Sequence, residues 1–217
     1  KFDGVSLNKV LLPGPDLMNS LLGILIHFRR ERVGVMCALE QMFYSFYVNP
    51  EHGDYLRFLW YKDNDPQKQV IEYHMNVHLF RNRPSPAVAT FGLRKTAVEG
   101  HEKYGEEIKD FVHHNFYVDD GLASLPTAEE AIKLVTSAQN TLALSNLRLH
   151  KVVSNSVDVM ETLPTEDRAK DLCDLDIRRD TLLPSGLLEF IGTLRTMRLH
   201  SKFPHPKSLS LAVESFW

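Results

Sequence analysis

The stretch Phe-Tyr-Val-Asp-Asp-Gly at residues 116–121 restricts the fold of this chain more than any other part of the sequence. Strand-forming residues flank it on both sides, so the pattern predicts a β-hairpin whose tight turn holds Asp119, Asp120 and Gly121. Adjacent carboxylates repel each other unless a cation lies between them. Carboxylates that hold divalent ions are used in phosphoryl transfer to clamp the attacking and leaving oxygens. A bare Asp-Asp-Gly is more often an ordinary acidic turn, but the flanking strands here favour a metal site.

Helix and strand patterns surround this hairpin in an irregular order. Upstream we predict a helix at Leu17–Phe28 capped by Asp16, strands at Val33–Val48, Tyr55–Tyr61 and Gln69–Phe80, and helices at Ser85–Val98 and His101–His113. Downstream, Thr127 and Glu130 form a capping box for a helix to about Leu144, and residues 147–153 form another strand. Because strands do not alternate regularly with helices, we predict an α+β fold with an antiparallel sheet packed on helices.

The composition is that of an ordinary globular protein and excludes several classes. Of the 217 residues, 43% are hydrophobic and 24% are charged, and the net charge is −3, which argues mildly against a free-standing nucleic-acid binder. No run approaches the roughly 18 apolar residues of a membrane helix. Cys37 and Cys173 lack metal-ligand spacing and predict reduced thiols in a cytoplasmic or nuclear, intracellular protein. There is neither a phosphate-binding loop nor a Gly-x-Ser-x-Gly elbow.

The sequence Tyr-Val-Asp-Asp at residues 117–120 resembles motif C of reverse transcriptases. From about Phe2 to Pro184, further blocks resemble, in order and spacing, the reverse-transcriptase segment of BEL/Pao-type LTR retrotransposons. These blocks are Leu7-Asn8, Leu11-Leu12, Gly14-Pro15-Asp16-Leu17, Leu56-Arg57-Phe58-Leu59-Trp60, Pro84-Ser85-Pro86-Ala87-Val88-Ala89 and Leu93-Arg94-Lys95. The resemblance implies a reverse-transcriptase-like palm with part of the fingers over residues 1–184.

The same resemblance implies a role for five residues. Asp119 and Asp120 would be catalytic and would bind Mg²⁺. Phe43, in motif A, would exclude a 2′-hydroxyl on the incoming dNTP, and Ser85 would begin the motif B helix under the template and nascent pair. Lys151 would assist proton transfer to the leaving pyrophosphate. The implied partners are an RNA/DNA primer–template and dNTP. Considered alone, Phe43 is also typical of a core aromatic, and Lys151 of a solvated lysine.

Two positions depart from the family pattern. Motif A of an active enzyme carries a metal-binding aspartate, and alignment on residues 40–43 places Ala38 there, so the site would keep two of three carboxylates. Losing a metal ligand removes most catalytic power, because the ions position every reacting group. Glu40 shares a face with position 38 and could replace the ligand, although it starts more than about 6 Å along the strand. Arg81 stands where related elements have glycine.

The tail is the third departure. The chain starts at Lys1 rather than Met, and we interpret it as a fragment or a partial gene product. We expect the primer grip and the thumb to be absent from this chain. The family continues after Pro184 with Leu-Gly-Val-x-Trp, whereas this chain does not. Joining the last base of each codon to the first two bases of the next, from Gly186 onward, permits Ser-Leu-Gly-Val-His-Trp, so we expect residues 185–217 to be a frameshifted, poorly ordered tail.

Three functions are consistent with these features. The first is a retroelement-derived RNA-directed DNA polymerase domain that has lost catalysis, a pseudoenzyme, and it accounts for Ala38, Arg81 and the tail together. The second is a polymerase with residual activity that uses Glu40. The third is a co-opted nucleic-acid-binding or protein-interaction module, in which phosphates would be bound by the basic residues Arg57, Arg83, Arg94 and Lys95.

Overall fold

The computed structural model describes residues 4–169. The helices are α1 Leu7–Val10, α2 Leu21–His27, α3 Ser85–Tyr104, α4 Glu106–His114, α5 Ala128–Ala143 and α6 Val157–Thr162. The strands are β1 Val33–Leu39, β2 Arg57–Tyr61, β3 Val70–His74, β4 Phe116–Tyr117, β5 Asp120–Leu125 and β6 Leu149–Ser154. The predicted α+β fold with an antiparallel sheet and helices is confirmed. Cys173, residues 170–184 and the expected frameshifted tail at 185–217 lie outside the described residues.

The main sheet is antiparallel and has the strand order β4-β5-β1-β6. In β1 the buried residues Val35, Cys37 and Leu39 alternate with less buried ones, as expected for a strand with one face on a core. Strand β1 is shorter than the predicted Val33–Val48. Gln41 has a φ of 48°, and a 3₁₀ turn at Met42–Ser45 follows, so the extended backbone cannot continue.

Three helices cover the buried face of this sheet. Helix α3 contacts both α4 and α5, and the apolar residues between the helices and the sheet form one core. A Cβ on Gly100 in α3 would lie 2.4 Å from Cγ2 of Thr141 in α5, so glycine lets the two helices approach closely. The helix predicted to end at Val98 therefore continues to Tyr104. Gly105, with a φ of 101°, separates α3 from α4.

Helix α2 is anchored by the segment that precedes it. Its N-cap is Ser20, whose hydroxyl accepts a hydrogen bond from Gly23 N at 3.4 Å, and the predicted cap Asp16 instead accepts from Met18 N at 3.1 Å. The Asn19 amide donates to the carbonyls of His113 and Phe116, each at 2.9 Å. These bonds attach the segment to the start of β4.

Strands β2 and β3 form a separate two-stranded ribbon, as predicted for this region. The rings of Phe58 and Tyr73 stack across it with centroids 5.7 Å apart, and the Trp60 indole donates to Asn64 Oδ1 at 2.8 Å. Phe58, Leu59 and Trp60 are exposed. Within residues 4–169, no helix has both the length and the apolar character that crossing a bilayer requires.

Candidate functional site

The hairpin formed by β4 and β5 presents the acidic pair at its tip. Tyr117 pairs with Asp120, so Val118 and Asp119 form a two-residue loop. Val118 has a φ of 57°, which a β-branched residue rarely adopts. Such strained backbone conformations cost about 1–3 kcal/mol and occur most often at functional sites. The turn is therefore held in a specific shape by its surroundings rather than by its own sequence preference.

Gly121 lies in β5 and not in the turn where the sequence placed it. A Cβ at this position would lie 2.8 Å from Cζ of Phe116 and 2.9 Å from Sγ of Cys37, so the glycine is required for close packing. The Cys37 thiol donates to the Gly121 carbonyl at 3.6 Å. Burial raises the pKa of Cys37 far above its usual range, which leaves the thiol protonated and unreactive.

Ala38 is the residue that faces the acidic pair from the neighbouring strand. It pairs with Asp120 across the β1–β5 ladder, and Leu39 N donates to the Asp119 carbonyl at 2.9 Å. Directly paired residues have Cβ atoms about 4.5–5.5 Å apart and share a face of the sheet. On its other side Ala38 pairs with His150 of β6. A methyl group thus occupies the position nearest to Asp120 in β1.

Positive charge near Asp119 and Asp120 compensates their two carboxylates only in part. Burial raises the pKa of Asp119. Burial and the negative charge of Asp119 raise the pKa of Asp120 to about 7. The Lys151 ammonium lowers the pKa of both carboxyls but does not offset their loss of hydration. Protein atoms crowd the Asp120 carboxyl enough to raise its pKa, but the residue as a whole keeps exposed surface, so a cation from solvent can reach it.

A β-bulge in β6 determines where Lys151 lies. Met36 pairs with Val153 and Ala38 pairs with His150, so β6 has one more residue than β1 over this interval. Lys151 lies in the bulge with a φ of 48°. β-Bulges redirect side chains next to functional sites. This bulge brings the Lys151 ammonium close enough to interact electrostatically with Asp119 and Asp120. The exposed Lys151 side chain therefore adds positive charge beside the acidic pair, whereas the Ala38 methyl group is uncharged.

Glu40 is engaged in a different set of contacts. Its Oε2 lies 3.1 Å from Arg148 Nη1, and its backbone N donates to the Arg148 carbonyl at 2.9 Å. Arg148 Nη2 lies 2.9 Å from Asp167 Oδ1, and Gln139 Nε2 donates to Asp167 Oδ2 at 3.1 Å. The hydrogen bond that Arg148 donates to Asp167, and then the one that it donates to Glu40, raise the pKa of Arg148. Glu40 therefore serves as an anchor between the end of β1 and the start of β6.

The structure places the other predicted site residues apart from this network. Phe43 is half-buried in the 3₁₀ turn, with its ring centroid 5.8 Å from that of Phe80. Ser85 begins α3 as predicted, but it is fully buried and its Oγ lies 3.3 Å from His78 Nδ1. Arg81 has a φ of 65°, the region in which glycine is least strained, which explains why glycine suits this position.

The basic residues considered for phosphate binding all make contacts within the chain. Arg57 lies 3.0 Å from Asp54 and 2.9 Å from Glu72. Arg83 donates to the Asn8 carbonyl, and Arg94 donates to the Leu17 carbonyl. Lys95 forms an ion pair with the Glu99 carboxylate. Binding a phosphate with these groups would require breaking or sharing the internal contacts.

The donors at the hairpin fit one hard cation but not a pair of metal ions. Mg²⁺ is often held by one or two carboxylates together with water, which Asp119 and Asp120 can supply. In the part of the chain that the structure describes, no cluster of three or more His, Cys, Asp or Glu residues could hold a metal. A site with two ions needs further carboxylate ligands.

Sequence reasoning missed Arg148, Asp167 and His150, because their roles depend on pairing between distant parts of the chain. Arg148 and Asp167 restrain Glu40. Burial lowers the pKa of the His150 imidazole, which pairs with Ala38 in the same row as Asp120. Arg148, just before β6, and Asp167, after α6, lie in no local sequence pattern that predicts their contacts.

Comparisons with known proteins gave one kind of match. No protein-family model matches the sequence, and none of the curated proteins matches it. Among solved structures, the chain is similar to a foamy viral protease–reverse transcriptase in complex with an RNA/DNA hybrid, with a TM-score of 0.47 and 17% sequence identity. The match covers 61% of this chain and 15% of that chain.

Proposed function

We propose that residues 1–184 are the palm and part of the fingers of a reverse transcriptase of the BEL/Pao retrotransposon type, in a copy that no longer polymerises. The family assignment rests on the ordered sequence blocks between Phe2 and Pro184, with Tyr-Val-Asp-Asp at their centre. The position of Asp119 and Asp120 at the tip of a hairpin, on an antiparallel sheet backed by α3 and α5, is compatible with this assignment.

The main observation that supports the proposed loss of catalysis is the pairing of Ala38 with Asp120. Polymerisation by this family requires ions that position the attacking hydroxyl, the phosphate and the leaving group. An aspartate at position 38 would place a third carboxylate about 5 Å from Asp120, Cβ to Cβ. With alanine there, the site binds at most a weakly held Mg²⁺ and aligns neither the primer–template nor the dNTP for reaction.

Residual activity through Glu40 is the alternative that the contacts disfavour. Its carboxylate is directed to Arg148, which is also held by Asp167. Moving Glu40 toward the acidic pair would break an ion pair and add a third negative charge beside a carboxyl whose pKa is already raised to about 7. Neither change is favourable without a tightly bound metal.

Primer extension on an RNA template tests the proposal, with Mg²⁺ and with Mn²⁺. We expect no incorporation of labelled dNTP by the natural chain and the same result for Asp120→Asn. Metal-dependent incorporation that is lost in both Asp120→Asn and Glu40→Gln would overturn the proposal in favour of a polymerase that uses Glu40. Incorporation lost only in Asp120→Asn would overturn it without implicating Glu40.

A further inference from the structure

Helix α2 has an apolar face that the described part of the chain does not cover. Its inner side is formed by Ile24 and Phe28, which are both buried. On the opposite side, Leu22 and Ile26 are 69% and 60% exposed. Side chains four residues apart lie on the same face of a helix, so Leu22 and Ile26 form one apolar stripe.

Three arginines follow this stripe directly. Arg29, Arg30 and Arg32 are exposed, and within residues 4–169 none of their side chains makes a hydrogen bond or an ion pair. Arg57 and Arg148, in contrast, are each paired with two carboxylates. Glu31 is the acid within the same stretch, so the positive charge there is only partly balanced.

The backbone holds the arginines next to the stripe. Arg29 N donates to the Ile26 carbonyl at 3.3 Å and Arg30 N to the His27 carbonyl at 3.1 Å, so the chain turns once more after the helix. The Arg32 carbonyl accepts from Asn155 Nδ2 at 2.8 Å, which fixes the end of the turn against the sheet. Apolar and cationic groups are therefore presented together in one defined arrangement.

The arginine end of this surface is separate from the acidic pair. Val33, the first residue of β1, pairs with Leu125, whereas Ala38 at the other end of the strand pairs with Asp120. Five residues of a strand span about 17 Å. The arginines thus lie near the end of β1 that is remote from the candidate metal site, and the inference goes beyond the proposed function.

We propose that this region, the α2 surface, docks a protein segment in which apolar side chains lie next to Asp or Glu. The α2 surface consists of Leu22, Ile26, Arg29, Arg30 and Arg32. Its stripe is aliphatic, which suits the apolar side of a peptide, whereas nucleic-acid bases stack on aromatic rings. The unpaired guanidiniums suit carboxylates, with which arginine forms two parallel hydrogen bonds. The net charge of −3 disfavours adsorption of the whole chain to an anionic membrane.

A displayed library of random dodecapeptides, selected on the immobilised full chain, is the probe for this proposal. We expect the selected peptides to combine Asp or Glu with Leu, Ile or Val. The tightest peptide, measured by fluorescence anisotropy, should bind at least tenfold more weakly to the triple variant Arg29→Gln/Arg30→Gln/Arg32→Gln and to the double variant Leu22→Gln/Ile26→Gln. Its affinity should also fall as the salt concentration rises.

A matched variant keeps the experiment interpretable if the substitutions disturb the chain. Leu144→Gln/Lys103→Gln changes an exposed leucine and an exposed lysine elsewhere and should leave peptide affinity unchanged. Selected peptides without acids, or equal binding to the natural chain and the triple variant, would overturn the proposal. It would also be overturned if the triple variant lost binding only to phosphatidylserine vesicles or only to a DNA duplex, because the surface would then serve a membrane or a nucleic acid. Thermal melting identifies any variant that does not fold, and the remaining variant then decides the result.

Discussion

Ala38 pairs directly with Asp120 across the β1–β5 ladder, and the next residue of β1 donates its backbone N–H to the Asp119 carbonyl. The acidic pair is therefore fixed against the strand that would carry a third carboxylate, yet that strand offers a methyl group. The hairpin and the close packing at Gly121 position the two acids, and the nearby Lys151 lowers the pKa of Asp120. Under the proposed function, what the acidic pair lacks is a carboxylate at position 38.

The raised pKa of Asp120 predicts that stability falls as the pH rises. Between the pKa of a free aspartate, about 3.9, and the native pKa of about 7, the native state binds more protons than the unfolded state. Its free energy of unfolding therefore decreases across this interval. Asp120→Asn should remove much of the decrease and should be more stable than the natural chain at pH 8.

Thermal unfolding at pH 4.5, 6, 7 and 8 measures this effect. Glu129→Gln, at an exposed position in the first turn of α5, is a control for the loss of one negative charge and should keep the natural pH dependence. Equal slopes in Asp120→Asn and the natural chain would show that Asp120 does not titrate in this range. Added Mg²⁺ should reduce the decrease in the natural chain, because a cation favours the ionised pair.

Substitution of Gly121 should disturb the hairpin through packing. The Cβ of Gly121→Ala would lie within 3.0 Å of Phe116 and Cys37, both buried, and such overpacking costs about 1–3 kcal/mol. Gly23→Ala in α2 is the matched control, because its Cβ would meet only Ser20 at 3.6 Å. We expect that variant to gain about 0.5–1 kcal/mol from helix propensity. Urea denaturation of both variants gives the comparison, and equal stabilities would contradict the packing described for Gly121.

The Arg148 contacts predict that Glu40 stabilises the fold without binding metal. Arg148→Ala leaves the half-buried Asp167 with one partner fewer and frees Glu40, so the urea midpoint should fall. Glu40→Gln keeps a hydrogen-bond acceptor and should lower the midpoint less. Neither variant should change the affinity for Mn²⁺. Loss of Mn²⁺ binding in Glu40→Gln would instead make Glu40 a ligand.

Much of this fold follows from local sequence patterns. Thr127 caps α5 as predicted, its hydroxyl accepting from Glu130 N at 3.2 Å, because capping depends on residues three apart. The hairpin at Asp119 and the ribbon of β2 and β3 are confirmed for the same reason. The limits of α3 were wrong. Gly100 lies inside α3, where the absence of a Cβ allows the close approach of Thr141 in α5, a tertiary feature that local sequence does not reveal.

The candidate site was less accessible from sequence. The order of residues suggested that Glu40 shares a face with position 38, but its partner Arg148 lies 108 residues away. The bulge at Lys151 depends on the register between β1 and β6, which local propensity does not determine. Asp119 and Asp120 could be identified from the sequence because they lie in a short motif. Ala38 could be identified because it stands at an aligned position. The contacts that restrain them arise only from packing.

Mn²⁺ binding by Ala38→Asp tests the central claim most directly, with isothermal titration calorimetry and thermal melting as readouts. We predict that the variant binds Mn²⁺ roughly tenfold or more tightly than the natural chain, because affinity for such ions grows with ligand charge. Without metal it should melt at a lower temperature, since a third carboxylate repels the other two. Ala38→Asn, similar in size but uncharged, should show neither effect. Equal Mn²⁺ affinity in Ala38→Asp, Ala38→Asn and the natural chain would contradict the account, because position 38 would then not be the missing ligand.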